Sequence, residues 1–257
     1  MTPQAALPWL AAAFGLIVGS FLNVCIFRIP EGLSIVRPAS RCRTCGHALA
    51  WFENIPVVSF VALGGRCRLC GESISFQYAL VELVTAAVFA AAVCRFQPGW
   101  LLASRLILAS AMIVLFVIDL EHRILPNSIT LPGIVAGVLF SLVTEPGWIS
   151  SLIGLVAGGG ALMAISEAYY RVRHEQGLGM GDVKMLAMIG AFVGWPLMLL
   201  TLVLSSLLGS VVGIAMIAAR RGDLKYALPF GSFLAVATIA AILLGDPIIR
   251  WYASFYS

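Results

Sequence analysis

Apolar residues fall in blocks along this chain rather than alternating with polar ones. Eight blocks, at about 7–27, 76–97, 100–120, 128–144, 149–170, 182–196, 198–219 and 228–250, read as membrane-crossing helices of roughly 20 residues, the shorter ones included. One long polar insertion, from about 28 to 75, interrupts them. The pattern predicts an all-α, polytopic integral membrane protein with about eight transmembrane helices. Its expected parts are a first helix over 1–27, a polar loop over 28–75 and a membrane core over 76–257. Composition agrees, since 257 residues with 61% hydrophobic and 11% charged content lack the polar surface of a soluble globule.

Charge orients the helices. No lysine or arginine precedes the first block, which is therefore a poor secretory signal, and Arg28 and Arg37 follow it, so the N-terminus is expected to face outward. With eight crossings, thirteen of the 16 basic residues then fall on one side, from Arg28 through Lys184 to Arg220, Arg221 and Lys225. Only Arg95, Arg105 and Arg250 fall on the other. The basic side is the cytoplasm by the positive-inside rule. A net charge of +4 is accounted for by topology and anionic lipid, with no nucleic-acid partner. No internal repeat is expected, and Gly158, Gly159 and Gly160 read as close helix packing.

The polar loop contains C-x2-C twice, Cys42 with Cys45 and Cys67 with Cys70, separated by 21 residues. Each turn aims two sulfurs at one point, and together they suit a tetrahedral structural zinc, making the loop zinc-ribbon-like. The gap is just past the usual range. Two disulfides or four free thiols are the alternatives, and a reducing cytoplasmic side disfavours disulfides. Cys25 and Cys94 lie within helices as packing residues.

Two aspartates stand at the ends of apolar blocks. Asp119 closes the third block in "VIDLEHRILPN", and Asp182 opens the sixth in "GLGMGDVK", residues 177–184. The alternation of crossings puts both at the cytoplasmic membrane boundary. Paired carboxylates in a poorly solvated site divide one proton and suit water activation against a peptide carbonyl. Glycines beside Asp182 leave room for an extended substrate. The bland reading has each aspartate capping or flanking its own helix. A transporter would place its polar groups near the midplane, and a zinc-bearing scaffold would not need the aspartates.

With "GSFLNVCIFRIP" (19–30), the cysteine-bearing stretch 41–85, "DLEHRILPN", "GLGMGDVK" and "PFGSFLA" (229–235), the chain resembles bacterial type IV prepilin peptidases, membrane aspartic proteases with a G-x-G-D motif. The resemblance covers nearly the whole chain. It implies a multi-pass enzyme of the bacterial inner membrane, its active site facing the cytoplasm, with Asp119 and Asp182 as the catalytic pair. It implies prepilin and type II secretion pseudopilin substrates, cut between a basic leader and an apolar stem. Many relatives with the long cysteine-bearing loop also methylate the new N-terminal amine with S-adenosylmethionine, and Glu82 is the candidate at that site, a buried hydrogen bond to a neighbouring helix being its other reading; a peptidase without methyl transfer is the alternative activity. Neither the residues nor the resemblance sets an oligomeric state.

Three departures from the family pattern stand out: Arg43, Ala79 and Ser232, each where proline is frequent, and none is expected to touch the aspartates. Lys184 reads as a topology anchor or a partner of Asp182, and Glu167 as a partner of Arg171. His47 follows a metal-type turn but is a poorer ligand than the four cysteines, and His122 and His174 read as solvated flank residues. Asn23 and Asn54 carry no assigned role, and the tryptophans mark an interfacial belt.

Overall fold

The structure, a computed structural model, describes residues 3–174, 179–219 and 229–255. Gly177 and Leu178 of the glycine-rich motif, and Arg220, Arg221 and Lys225 of the charge pattern, lie outside the described residues. Among the described residues regular structure is helical: α1 (Pro3–Arg28), α2 (Val58–Ala62), α3 (Gln77–Arg95), α4 (Trp100–His122), α5 (Asn127–Ser141), α6 (Trp148–Arg173), α7 (Met180–Ala218) and α8 (Phe230–Ala253). Six of these are long and apolar enough to cross a membrane, α5 is a shorter apolar helix, and the chain is a multi-pass membrane protein. It divides into two compact units, Met1–Gln97 and Pro98–Ser257.

In the first unit α1 and α3 pack antiparallel. A Cβ on Gly15 would sit 2.7 Å from Ala86 Cα, and one on Gly19 2.7 Å from Glu82 Cα, so this G-x-x-x-G spacing lets the two backbones touch. Lower on the same seam, buried Asn23 donates from Nδ2 to the Tyr78 carbonyl at 3.0 Å, which gives that residue its role. Cys25 is buried, as expected of a packing residue, whereas Cys94 is exposed.

The second unit settles how eight apolar blocks become seven long or short apolar helices. At about 1.5 Å per residue, the 39 residues of α7 would span roughly 58 Å, near twice the hydrocarbon thickness. Helical geometry breaks at Gly194, with φ 73° and ψ 175°, a conformation suited to glycine. The first arm leads away from Asp182, and the second returns: Leu197 packs near Gly245, whereas Gly209, twelve residues on, packs near Phe233 at the start of α8. Among the described residues the sixth and seventh apolar blocks are thus joined within α7.

The break frees carbonyls that side chains then satisfy. Pro196 has no N–H for the Phe192 carbonyl four residues earlier, and the buried Arg105 donates to that carbonyl from Nη1 at 2.7 Å. Ser151 Oγ donates to the Ala191 carbonyl at 2.6 Å. A buried arginine inside a membrane helix therefore has a structural use, to finish a broken helix. Gly154 and Gly158 of α6 meet the first arm with no room for side chains, a Cβ on Gly158 lying 2.9 Å from Leu186 O. The same test leaves Gly160 in open space, so close packing uses only part of the triple-glycine run.

Candidate active site

The α4 helix ends just after Asp119: Arg123 adopts the left-handed conformation and closes the last turn with its N–H on the Asp119 carbonyl at 2.9 Å. Pro126 then caps α5, whose first residue is Asn127. Asp182 stands third in α7 and reaches back to accept the Gly179 N–H at 3.2 Å on Oδ2. Asp119 and Asp182 line a single cavity of about 340 Å³, together with Arg123, Ile124, Leu125, Asn127, Gly179, Gly181 and Lys184. The fold thus brings the two sequence-predicted carboxylates together from helices 63 residues apart in the chain.

Helix polarity supports negative charge in this cavity. The α5 and α7 helices begin at its wall, and α8 begins against Asp119, so three positive helix ends converge there against one negative end, the close of α4. Asp119 is buried, with 5% of its surface exposed, and its Oδ2 accepts the Ser232 N–H at 2.7 Å and the Ser232 hydroxyl at 3.0 Å. This corrects the expectation that Ser232 lies apart from the aspartates. The contact crosses 113 residues, and a serine in a first helical turn has an ordinary local use, so no sequence signal pointed to it. Gly231 is part of the same contact, since a Cβ there would meet Asp119 Oδ2 and Leu125 Cδ1 at 2.9 Å each.

Two neighbours of Asp182 differ from expectation. The space beside Gly181 holds Leu125, whose Cβ would stand 2.9 Å from an added methyl, so this glycine serves packing before any substrate. Lys184 donates to Asn127 Oδ1 at 2.9 Å, linking α7 to the start of α5 across the cavity rim. Elsewhere, Glu167 accepts from Arg171 at 2.8 Å, as its spacing predicts. His122 lies 3.9 Å from Glu121.

In the first unit the four loop cysteines converge. Their sulfurs all lie within 4.8 Å of one another, with Cys42 to Cys70 at 3.8 Å and Cys45 to Cys67 at 4.0 Å. No disulfide joins them. The two turns are copies, offset by 25 residues, contrary to the expectation of no internal repeat. Cys42 N donates to His47 O and Cys67 N to Glu72 O, both at 2.8 Å, and Leu49 and Ile74 close the pairs through the carbonyls of Ser40 and Gly65. Gly46 and Gly71 share φ 71°, the left-handed geometry each turn needs. The backbone N–H groups of Cys45 and Thr44 draw the Cys42 thiol down to about 6. Arg43, instead of stiffening the turn as proline would, lays its guanidinium 3.8 Å over the Phe27 ring at the end of α1.

His47 is spoken for by Glu53, 3.2 Å away, and is not among the clustered ligands. Glu53 is buried and also accepts the Ala50 N–H at 2.8 Å. That N–H chiefly holds its carboxyl below the usual carboxylate range, against the effect of burial and with help from His47. Glu82 is buried in α3 and accepts the Val57 N–H on Oε2 at 2.7 Å. Val57 has φ 60°, a strained position for a β-branched residue, so Glu82 fixes an unfavourable turn of the loop. Sequence reasoning isolated Glu82 but neither its partner nor the strain.

Residues 13–96 match the bacterial peptidase A24 N-terminal domain, and residues 106–214 match the type IV leader peptidase family. A prepilin leader peptidase/N-methyltransferase of Aeromonas salmonicida (strain A449) is 36% identical, with 96% of each chain covered. Its counterpart in Aeromonas hydrophila is 38% identical over 96% of this chain and 95% of its own. That of Myxococcus xanthus (strain DK1622) is 45% identical over 80% of this chain and 62% of its own. No solved structure matches. The two family segments and the near full-length relatives together place the chain in the bacterial type IV leader peptidase family.

Proposed function

We propose that the chain is a membrane aspartic endopeptidase that removes the basic leader from type IV prepilins and type II secretion pseudopilins, then methylates the exposed amine. The observation that carries the peptidase reading is the convergence of Asp119 and Asp182 on one cavity. Two carboxylates facing one poorly solvated space do not both stay ionised. The charged member takes a proton from water, whose oxygen attacks the scissile carbonyl carbon, and the protonated member hydrogen-bonds the carbonyl oxygen. The three helix ends favour the oxyanion that forms. The charge pattern supports a cavity at the cytoplasmic boundary of the bacterial inner membrane, where a basic leader would stay in water while an apolar stem lies in lipid.

The four loop thiolates fit zinc. Tetrahedral Zn–S bonds of about 2.3 Å put sulfurs roughly 3.8 Å apart; the Cys42–Cys70 and Cys45–Cys67 pairs stand at 3.8 and 4.0 Å, and all four sulfurs lie within 4.8 Å of one another. Four cysteines leave no open position, so this metal is structural, with Cys42, Cys45, Cys67 and Cys70 as its ligands. Methyl transfer is assigned to the first unit. S-adenosylmethionine supplies an activated methyl group there, and the accepting amine must first lose a proton. The buried carboxylate of Glu82 and the unpartnered buried oxygens Glu53 Oε1 and Asn23 Oδ1 are the acceptors available to an ammonium. Asp182→Asn in a membrane assay with a prepilin tests the peptidase: leader removal at the wild-type rate defeats it. Labelling of the cut product with a methyl-labelled donor tests the second step.

A further inference from the structure

The α8 helix begins on the Asp119 carboxylate. Its first residue is Phe230, so Gly231 and Ser232 are second and third, where helix N–H groups lack partners within the helix. Ser232, 4% exposed, places two donors on one oxygen of Asp119: its N–H at 2.7 Å and its hydroxyl at 3.0 Å, both on Oδ2. The hydroxyl also lies 3.3 Å from the Phe116 carbonyl, a longer contact. Gly231 clears the way, since any Cβ there would press on the same oxygen at 2.9 Å. Among the described residues, the other charged groups at the cavity are Arg123 on the α4 side and Asp182 and Lys184 on α7.

We infer that Ser232 is a positioning residue for Asp119, resting on the reading of Asp119 as half of the peptidase pair. With Oδ2 held by two donors, the carboxylate cannot turn, and Oδ1 is left as the acceptor for the proton of the attacking water. Water then gives its proton to Asp119 Oδ1 while its oxygen bonds the scissile carbon, and the carbonyl oxygen takes the proton held by Asp182. Donors to a carboxylate are strongest when it is charged, so the arrangement casts Asp119 as the member that starts the cycle charged. The local alternative is that Ser232 merely satisfies the Phe116 carbonyl and holds α8 in place.

Cleavage kinetics of the full-length protein in lipid, with a prepilin substrate, separate the two. Loss of one donor to a charged group is worth about tenfold in rate. Ser232→Ala is expected to lower kcat by about tenfold with KM within about twofold, because substrate binding is not its task. Ser232→Thr, which keeps both donors, is expected to hold kcat within about threefold of wild type. Wild-type kcat in the Ala variant overturns the inference. So does a parallel fall of kcat, substrate affinity and thermal stability that Thr does not rescue, the signature of a packing role. Asp119→Asn is the control for the reading beneath: if it still cleaves at the wild-type rate, the peptidase assignment itself falls. If it is inactive while the Ser232 variants are unaffected, only the role of Ser232 falls.

Discussion

The cysteine cluster and the aspartate cavity were assembled by opposite means. The cluster comes from two copies of one turn, 25 residues apart, each closed by its own backbone hydrogen bonds. Its sulfurs meet because short local geometry repeats, and a metal can finish the fold of such a loop. The cavity instead collects stretches that are remote in sequence: the turn from α4 into α5 and the start of α7, with Ser232 at the head of α8 bound to Asp119. No segment of the second unit carries the site by itself. Damage to the first should therefore stay local, whereas damage to the second should depend on the packing of whole helices.

The sharpest break in this contrast is at the carboxylates. Asp119→Asn or Asp182→Asn should lower leader cleavage by about a thousandfold or more while metal content stays at the wild-type level, measured by cleavage assay and elemental analysis. A parallel loss of metal would show that the sites are not independent. Next comes the loop: Cys67→Ser should abolish metal retention, open residues 28–75 to protease and lower methyl transfer more than tenfold, yet leave cleavage within about tenfold of wild type. Protection unchanged by the substitution or by chelation would remove the metal from the account.

Smaller effects test the helices. Arg105→Met should strand the Phe192 carbonyl at the break in α7 and cost about 2 kcal/mol, read as a lower melting temperature in detergent. Gly19→Val should push α3 from α1 at a cost of about 1–3 kcal/mol, with methyl transfer affected before cleavage. Lys184→Ala, which removes one exposed contact with Asn127, should change kcat by less than about threefold. A large fall there would give the lysine a part in the chemistry.

The same contrast governs what could be read from the sequence. The cysteine spacing was legible because its geometry is local, and the matched hydrogen bonds show the stretch to be a 25-residue copy of R-C-R-x-C-G, against the expectation of no internal repeat. Asp119 and Asp182 were legible through topology: charge on alternate connections fixed which helix ends share a side. The eight apolar blocks survive as well, the unforeseen feature being that the sixth and seventh join in one broken helix at Gly194. Residues whose meaning lies in a distant partner were not legible. Ser232 looks like an ordinary first-turn serine, Arg105 like an outward charge, and Glu82 gives no hint that it holds Val57 at a positive φ.

The central claim is that Asp119 and Asp182 act as one unit on one water. A double-mutant cycle measures this most directly, using single-turnover cleavage of a prepilin by wild type, Asp119→Asn, Asp182→Asn and the double variant. Groups that act together are lost together, so the double variant should be no slower than the worse single one. Two losses that multiply, or a single variant that cleaves at the wild-type rate, would contradict the account.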